Sequence, residues 1–213
     1  MDGTLLDTER VAQQAFIAAC DDLGVTPRMD LLQRCVGAAQ PMARNVIREG
    51  FGPTLDCDAF FRAWNHHFAQ MSGVTPAPLK EGALTLLDAV ARLGLPMAIA
   101  TSSGTVHAVE KLRQAGLLQR FKAVIGADQV TRPKPDPEVY LKAAGSLGVD
   151  PRACLAVEDS EYGVRAAHAA GMTVIQIPDM TQPTADLRAL GHIVLASLEE
   201  VVGYPFARED THG

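Results

Sequence analysis

Two short apolar runs in this chain end in hydroxyls or acids, an Asp-Gly-Thr opens it, and one lysine sits in a proline-rich loop. Asp2 precedes Gly3-Thr4. Thr101, Ser102 and Ser103 close the run Pro96-Met97-Ala98-Ile99-Ala100. Lys134 sits in a stiff loop, Arg132-Pro133-Lys134-Pro135-Asp136-Pro137. Glu158, Asp159 and Ser160 follow Cys154-Leu155-Ala156-Val157. These residue types suit phosphoryl transfer. Paired carboxylates suit Mg²⁺, a hard cation that prefers oxygen ligands. A lysine and a hydroxyl neutralise and orient phosphoryl oxygens. An aspartic acid can protonate a leaving oxygen and then activate water. No Gly-x-x-x-x-Gly-Lys-Ser/Thr loop occurs, so a P-loop nucleotide site is excluded.

Each group also has a plainer reading. Thr101-Ser102-Ser103 could cap the helix that follows. Lys134 could be a solvated cation. Glu158-Asp159-Ser160 could be a second cap, with acids favoured by the helix dipole. Their recurrence after successive apolar runs favours a shared site.

The elements that would position them follow from periodicity. Residues 8–23 read as a helix, with Val11, Ala12, Ala15, Phe16, Ala19, Cys20 and Leu23 on one face. Asp7 or Thr8 can cap its start and Gly24 can end it. Helical patterns follow at 30–36, 42–49 and 58–71, and no strand is expected between 9 and 75. A Pro-rich joint, Val74-Thr75-Pro76-Ala77-Pro78, precedes a change of pattern. Helices at 81–93, 104–115, 136–147 and 161–170 then alternate with strands at 96–101, 122–126, 154–157, 173–177 and 192–196. The strands are short and apolar throughout, as in a parallel sheet covered on both faces. The expected fold is α/β, a doubly wound parallel sheet. Ligands of such sheets bind beyond the carboxyl ends of the strands, where the groups above stand.

Composition narrows the function. Apolar residues make up 47% of the 213, enough for a sizeable core. A net charge of −6 without a Lys/Arg run argues against nucleic acid as partner. No apolar stretch approaches the roughly 18–20 residues of a membrane span, and no signal peptide is visible. Cys20, Cys35, Cys57 and Cys154 show no Cys-x-x-Cys spacing. They read as reduced thiols of a cytoplasmic protein. Trp64, His66 and His67 share a helix with Phe60, Phe61 and Phe68 and read as packing and helix surface, as does His107.

The order of these motifs resembles the haloacid dehalogenase superfamily. Asp2-Gly3-Thr4-Leu5-Leu6-Asp7-Thr8-Glu9 is similar to its first motif, Asp-x-Asp-Gly-Thr/Val, without the leading Asp. Ala98 to Ser103 is similar to the second, Lys134 in Lys-Pro-Asp-Pro to the third. Val157-Glu158-Asp159-Ser160, with Gly163 and Ala169-Ala170-Gly171-Met172, is similar to the fourth. The nearest subgroup is the β-phosphoglucomutase and phosphoglycolate-phosphatase type. The resemblance implies a Rossmann-like core of residues 1–8 and 78–213 and an inserted four-helix cap of residues 9–77. It implies Asp2 as general acid and base, with its backbone carbonyl on Mg²⁺. Thr101, Ser102 and Lys134 would hold phosphate, and Glu158 and Asp159 the metal. Asp2 favours phosphate esters over haloacids. Gly37-Ala38-Ala39-Gln40 is similar to the cap's specificity loop. Gln40 stands about where the mutases carry an Arg, which lowers a mutase reading, although Arg34 or Arg44 could reach.

The implied function is a Mg²⁺-dependent phosphatase of small phosphorylated metabolites, acting through an aspartyl-phosphate, as a monomer or homodimer. The alternatives are a phosphomutase and a non-catalytic phosphometabolite-binding protein. The implied nucleophile falls one position before Met1. Losing a central strand would orphan buried backbone groups at roughly 1–3 kcal/mol each, severe against a total of about 5–15 kcal/mol. The expectation is therefore a polypeptide beginning about seven or eight residues upstream.

Overall fold

The computed structural model describes residues 1–73, 77–179 and 182–204. Residues 74–76 of the expected joint lie outside them. Four helices come first: α1 (Glu9–Asp22), α2 (Met29–Cys35), α3 (Gln40–Phe51) and α4 (Cys57–Gly73). They share a core of Phe16, Cys20, Leu31, Ile47 and Phe60. The Phe16 ring meets Phe60 edge-on at 5.5 Å. The Trp64 Nε1–H donates to the Ala12 carbonyl at 3.1 Å, tying α4 to α1. Trp64 is thus a packing residue, as its helix suggested. His67 pairs with Asp22 at 2.8 Å, and His107 lies on an exposed helix face.

Helices and strands then alternate: α5 (Ala83–Arg92), β1 (Ala98–Ala100), α6 (Thr105–Gln114), β2 (Ala123–Ile125), α7 (Glu138–Leu147), β3 (Leu155–Glu158), α8 (Glu161–Ala169) and β4 (Thr173–Gln176). The short α9 (Ala185–Arg188), β5 (Ile193–Val194) and α10 (Leu198–Val202) complete them. All strand pairs are parallel. Side chains alternate between two covered faces, as a doubly wound sheet requires. On β4, Val174 packs with Val139 and Val164, whereas Ile175 packs with Leu86, Leu112 and Val201.

Two details depart from expectation. The Thr8 side chain makes no cap bond, because its backbone is already helical (φ −89°, ψ −12°) rather than extended. The strands also form two ladders, β1–β2 and β3–β4–β5, instead of one sheet. Among the described residues no strand pairs with both β1 and β3. Ala98 and Ala100 of β1, and Leu155 and Val157 of β3, instead border an apolar cavity of about 360 Å³, together with Met1 and Leu5. Residues 1–6 fold into a tight loop beside it, with Leu5 N–H donating to Met1 O and Gly3 N–H to Leu6 O, each at 2.9 Å.

Candidate active site

Strand β1 ends at Ala100, which places Thr101 at its carboxyl tip, 5% exposed. Thr101 N–H donates to Ile125 O at 3.0 Å, and its Oγ1 accepts from Ser103 N–H at 3.2 Å. These hydroxyls do not cap α6. Its N-cap residue is Gly104, and Asp128 accepts from Thr105 N–H at 2.7 Å instead. Ser103 Oγ donates to Asp2 Oδ2 at 2.9 Å. Lys111 donates to Asp2 Oδ1 at 2.6 Å. Burial is the largest single influence and raises the Asp2 pKa, but the Lys111 ammonium, the N-terminal ammonium and the Ser103 hydroxyl together outweigh it and hold the carboxyl below its ordinary value.

The loop before α7 carries Lys134 inward, where it is 5% exposed. Its Nζ donates to Glu158 Oε1 at 2.5 Å and to the Ala100 carbonyl at 3.2 Å, and lies 4.8 Å from the Tyr140 ring centroid. Tyr140 OH also donates to Glu158. Burial, the largest single influence, would raise Glu158; Lys134, the N-terminal ammonium and the Tyr140 hydroxyl together more than offset it, and Glu158 falls to about 2. Asp159 goes the other way. Burial and the Glu158 charge push it up to about 6, while Thr4 Oγ1 donates to its Oδ1 at 2.6 Å. Gly3 (φ +71°) lies against this carboxylate, where a Cβ would clash. A second support is the buried Gln176, whose Nε2 donates to Asp159 O at 3.1 Å. Ser160 accepts from Gly163 N–H at 3.2 Å, so it does cap α8, as the plainer reading held.

The α2–α3 loop reaches this edge through Gly37. Ser102 Oγ donates to Gly37 O at 2.8 Å. Gly37 has φ +71°, and a Cβ there would strike the Ser160 side chain. Gln40 is exposed at the start of α3. It borders a pocket of about 310 Å³ with Asp2, Ser103, Lys111, Trp64 and Phe68. The structure therefore gathers Asp2, Thr101, Ser102, Lys134, Glu158, Asp159 and Gly37, and leaves Gln40 on the pocket rim.

Other groups had not been singled out. Lys111 and Tyr140 lie on helix faces that read as surface and core. Glu9, within the first motif, is pushed up to about 8 by burial and by Asp159. Asp179 pairs with Lys80 at 2.6 Å, and its Oδ2 is buried without a hydrogen-bond partner.

Among the described residues no three His, Cys, Asp or Glu side chains converge as a metal cage. Mg²⁺ needs none, since it binds through one or two carboxylates and completes its shell with water or phosphate. Asp159 and Asp2 offer hard oxygens. Burial first, and neighbouring carboxylates second, raise Asp159 and Glu9, and a bound divalent cation would offset both effects. The residues fit that ion.

Residues 1–177 match the family model described as haloacid dehalogenase-like hydrolase. The chain belongs to the haloacid dehalogenase-like hydrolases. The protein CbbY of Cupriavidus necator is 35% identical over 193 residues, 84% of this chain and 76% of the relative. The Escherichia coli fructose-1-phosphate phosphatase YqaB is 32% identical, over 83% of this chain and 93% of its own. The phosphorylated carbohydrates phosphatase of Thermotoga maritima is 31% identical, covering 95% and 94%. Among solved structures, CbbY from Rhodobacter sphaeroides in complex with phosphate superposes with a TM-score of 0.74 at 25% identity, over 94% of this chain and 93% of that one. A haloacid dehalogenase-like hydrolase is an enzyme of hydrolytic type.

Proposed function

We propose that this chain is a Mg²⁺-dependent phosphatase of small phosphorylated metabolites, phosphorylated sugars first among them. The observation that carries this reading is the buried Lys134–Glu158 pair beside Asp159 at the strand tips, with Gly3, next to Asp2, against the Asp159 carboxylate. The sugar-phosphate phosphatases among the relatives support the substrate class.

Thr101, Ser102 and Lys134 would hold the phosphoryl oxygens. Glu158 and Asp159, with the Asp2 carbonyl, would hold Mg²⁺, which when bound neutralises charge on those oxygens. The family's nucleophile is an aspartate two positions before Asp2, a position that precedes Met1. Its carboxylate would form the new P–O bond as the ester P–O bond breaks, and Asp2, ionised at rest beside Lys111, would take up a proton from solvent as substrate binds and pass it to the departing oxygen. Water would then attack the aspartyl-phosphate with its proton passing to Asp2, releasing inorganic phosphate. Residues 9–77 would act as a cap, with Gly37 seating it and Gln40 on its rim. Free cysteines and the lack of any long apolar helix among the described residues fit a cytoplasmic enzyme.

A panel of sugar phosphates and phosphoglycolate, assayed with and without Mg²⁺, tests the reading. Free phosphate is the expected product. A phosphate group moved within the sugar would support the mutase reading instead, and binding without turnover the non-catalytic one.

A further inference from the structure

Helix α6 sends one side chain to two places. Lys111 Nζ is 2.6 Å from Asp2 Oδ1 and 5.2 Å from the centroid of the Phe68 ring on α4. Asp2 belongs to the strand-tip edge, and Phe68 to the four-helix block. One ammonium therefore touches both sides of the 310 Å³ pocket.

The contact is built on a fixed base. Ala108 and Leu112, flanking Lys111 on α6, are fully buried in the core. Only the Lys111 stem is free to choose a direction, and its end is three-quarters buried, as is the Asp2 carboxylate. An ion pair at full exposure would hold little. A lysine stem is flexible, and its three donors rotate. An aromatic face on one side and a carboxylate on the other confine it. Ser103 holds the second Asp2 oxygen from a different element. The plane of the Asp2 carboxylate is thus set by α6 and by the β1–α6 loop. Each oxygen still keeps a lone pair for a substrate atom.

We propose that Lys111 is a positioning residue for Asp2, held in place by Phe68, so that the seating of α4 over the pocket sets the orientation of the Asp2 carboxylate. The role of the oriented carboxylate, facing the leaving oxygen of a phosphate ester, rests on the phosphatase reading. The three-residue contact does not.

Acylation of lysines by an N-hydroxysuccinimide ester, mapped by peptide mass spectrometry, tests the contact on the 213-residue chain without any activity. Lys111 is expected to react several-fold more slowly than the exposed Lys122. Phe68→Leu and Asp2→Asn are each expected to raise the Lys111 rate toward that of Lys122. The buried Lys134 should stay unreactive, which separates release of Lys111 from unfolding. Equal rates for Lys111 and Lys122 in the unaltered chain, or no change in Phe68→Leu, would overturn the proposal. In a polypeptide that turns over phosphate esters, Lys111→Met should lower kcat about tenfold or more with little change in KM, and Lys111→Arg should recover most of it. Phe68→Leu should lower kcat alone but add nothing to Lys111→Met. Additive losses would refute the coupling. If no phosphate ester is hydrolysed, the phosphatase reading fails while the labelling result still decides the contact.

Discussion

Lys134 and Glu158 are almost wholly buried and pair with one another at 2.5 Å. Removing one partner strands a charge in the core, which costs about 3–5 kcal/mol. Lys134→Met should lose stability on that scale in denaturant melts, and adding Glu158→Gln should restore part of it. A loss below about 1 kcal/mol would mean that water reaches the pair. The other acids give a pH signature. Glu9 and Asp159 rise from ordinary values of 4.5 and 3.8 to about 8 and about 6. The folded state therefore holds their protons more tightly than the unfolded chain. Their contribution is full below pH 3.8–4.5 and is lost as pH climbs through 6 toward 8. Mg²⁺ should raise the melting temperature more at pH 8 than at pH 5, and a pH-independent effect would contradict this account. Thr101 and the Glu158-Asp159 pair were legible because they stand at the ends of apolar runs, and Asp2 and Lys134 through their Asp-Gly-Thr and Lys-Pro-Asp-Pro motifs. Lys111 was not: its partner lies 109 residues away, and nothing local on α6 distinguishes it from a solvated lysine.

At the scale of elements, the four-helix block has its own core and meets the strand tips through Gly37. Phe60→Ala should cost about 3–5 kcal/mol by opening a cavity. Amide exchange should then show protection lost in α1–α4 and kept in β3 and β4; equal loss in both would show that the block and the sheet unfold as one. Gly37→Ala places a methyl against Ser160 and strains a positive φ. It should cost about 1–3 kcal/mol and weaken phosphate-ester binding without unfolding the sheet, as seen by titration calorimetry. The long helices were legible from their 3.6-residue period, to within about two residues at each end. Four of the five strands came out shorter than expected, and β3 shifted by one residue, because ladder bonds, not apolarity, end them. Helices α9 and α10 were missed, since four or five residues show too little period to register.

In the whole molecule, alternation of strands and helices predicted a doubly wound α/β fold. The ladders stand in two pieces bordering a cavity of about 360 Å³. Periodicity reports which face of an element is apolar, and it is silent on which strands pair. The same limit hid the pocket between α4 and the strand tips, because no local pattern places Phe68 near Asp2. The central claim is that residues 1–213 supply the phosphate-holding and proton-moving groups of a phosphatase. It is tested most directly by phosphate release from sugar phosphates in the presence of Mg²⁺. Residues 1–213 alone should release very little. The same residues preceded by a short apolar strand ending in Asp, two positions before Asp2, should turn over, and Asn at that position or Met at Lys134 should abolish it. Robust release by residues 1–213 alone, or none with the added Asp, would contradict the account.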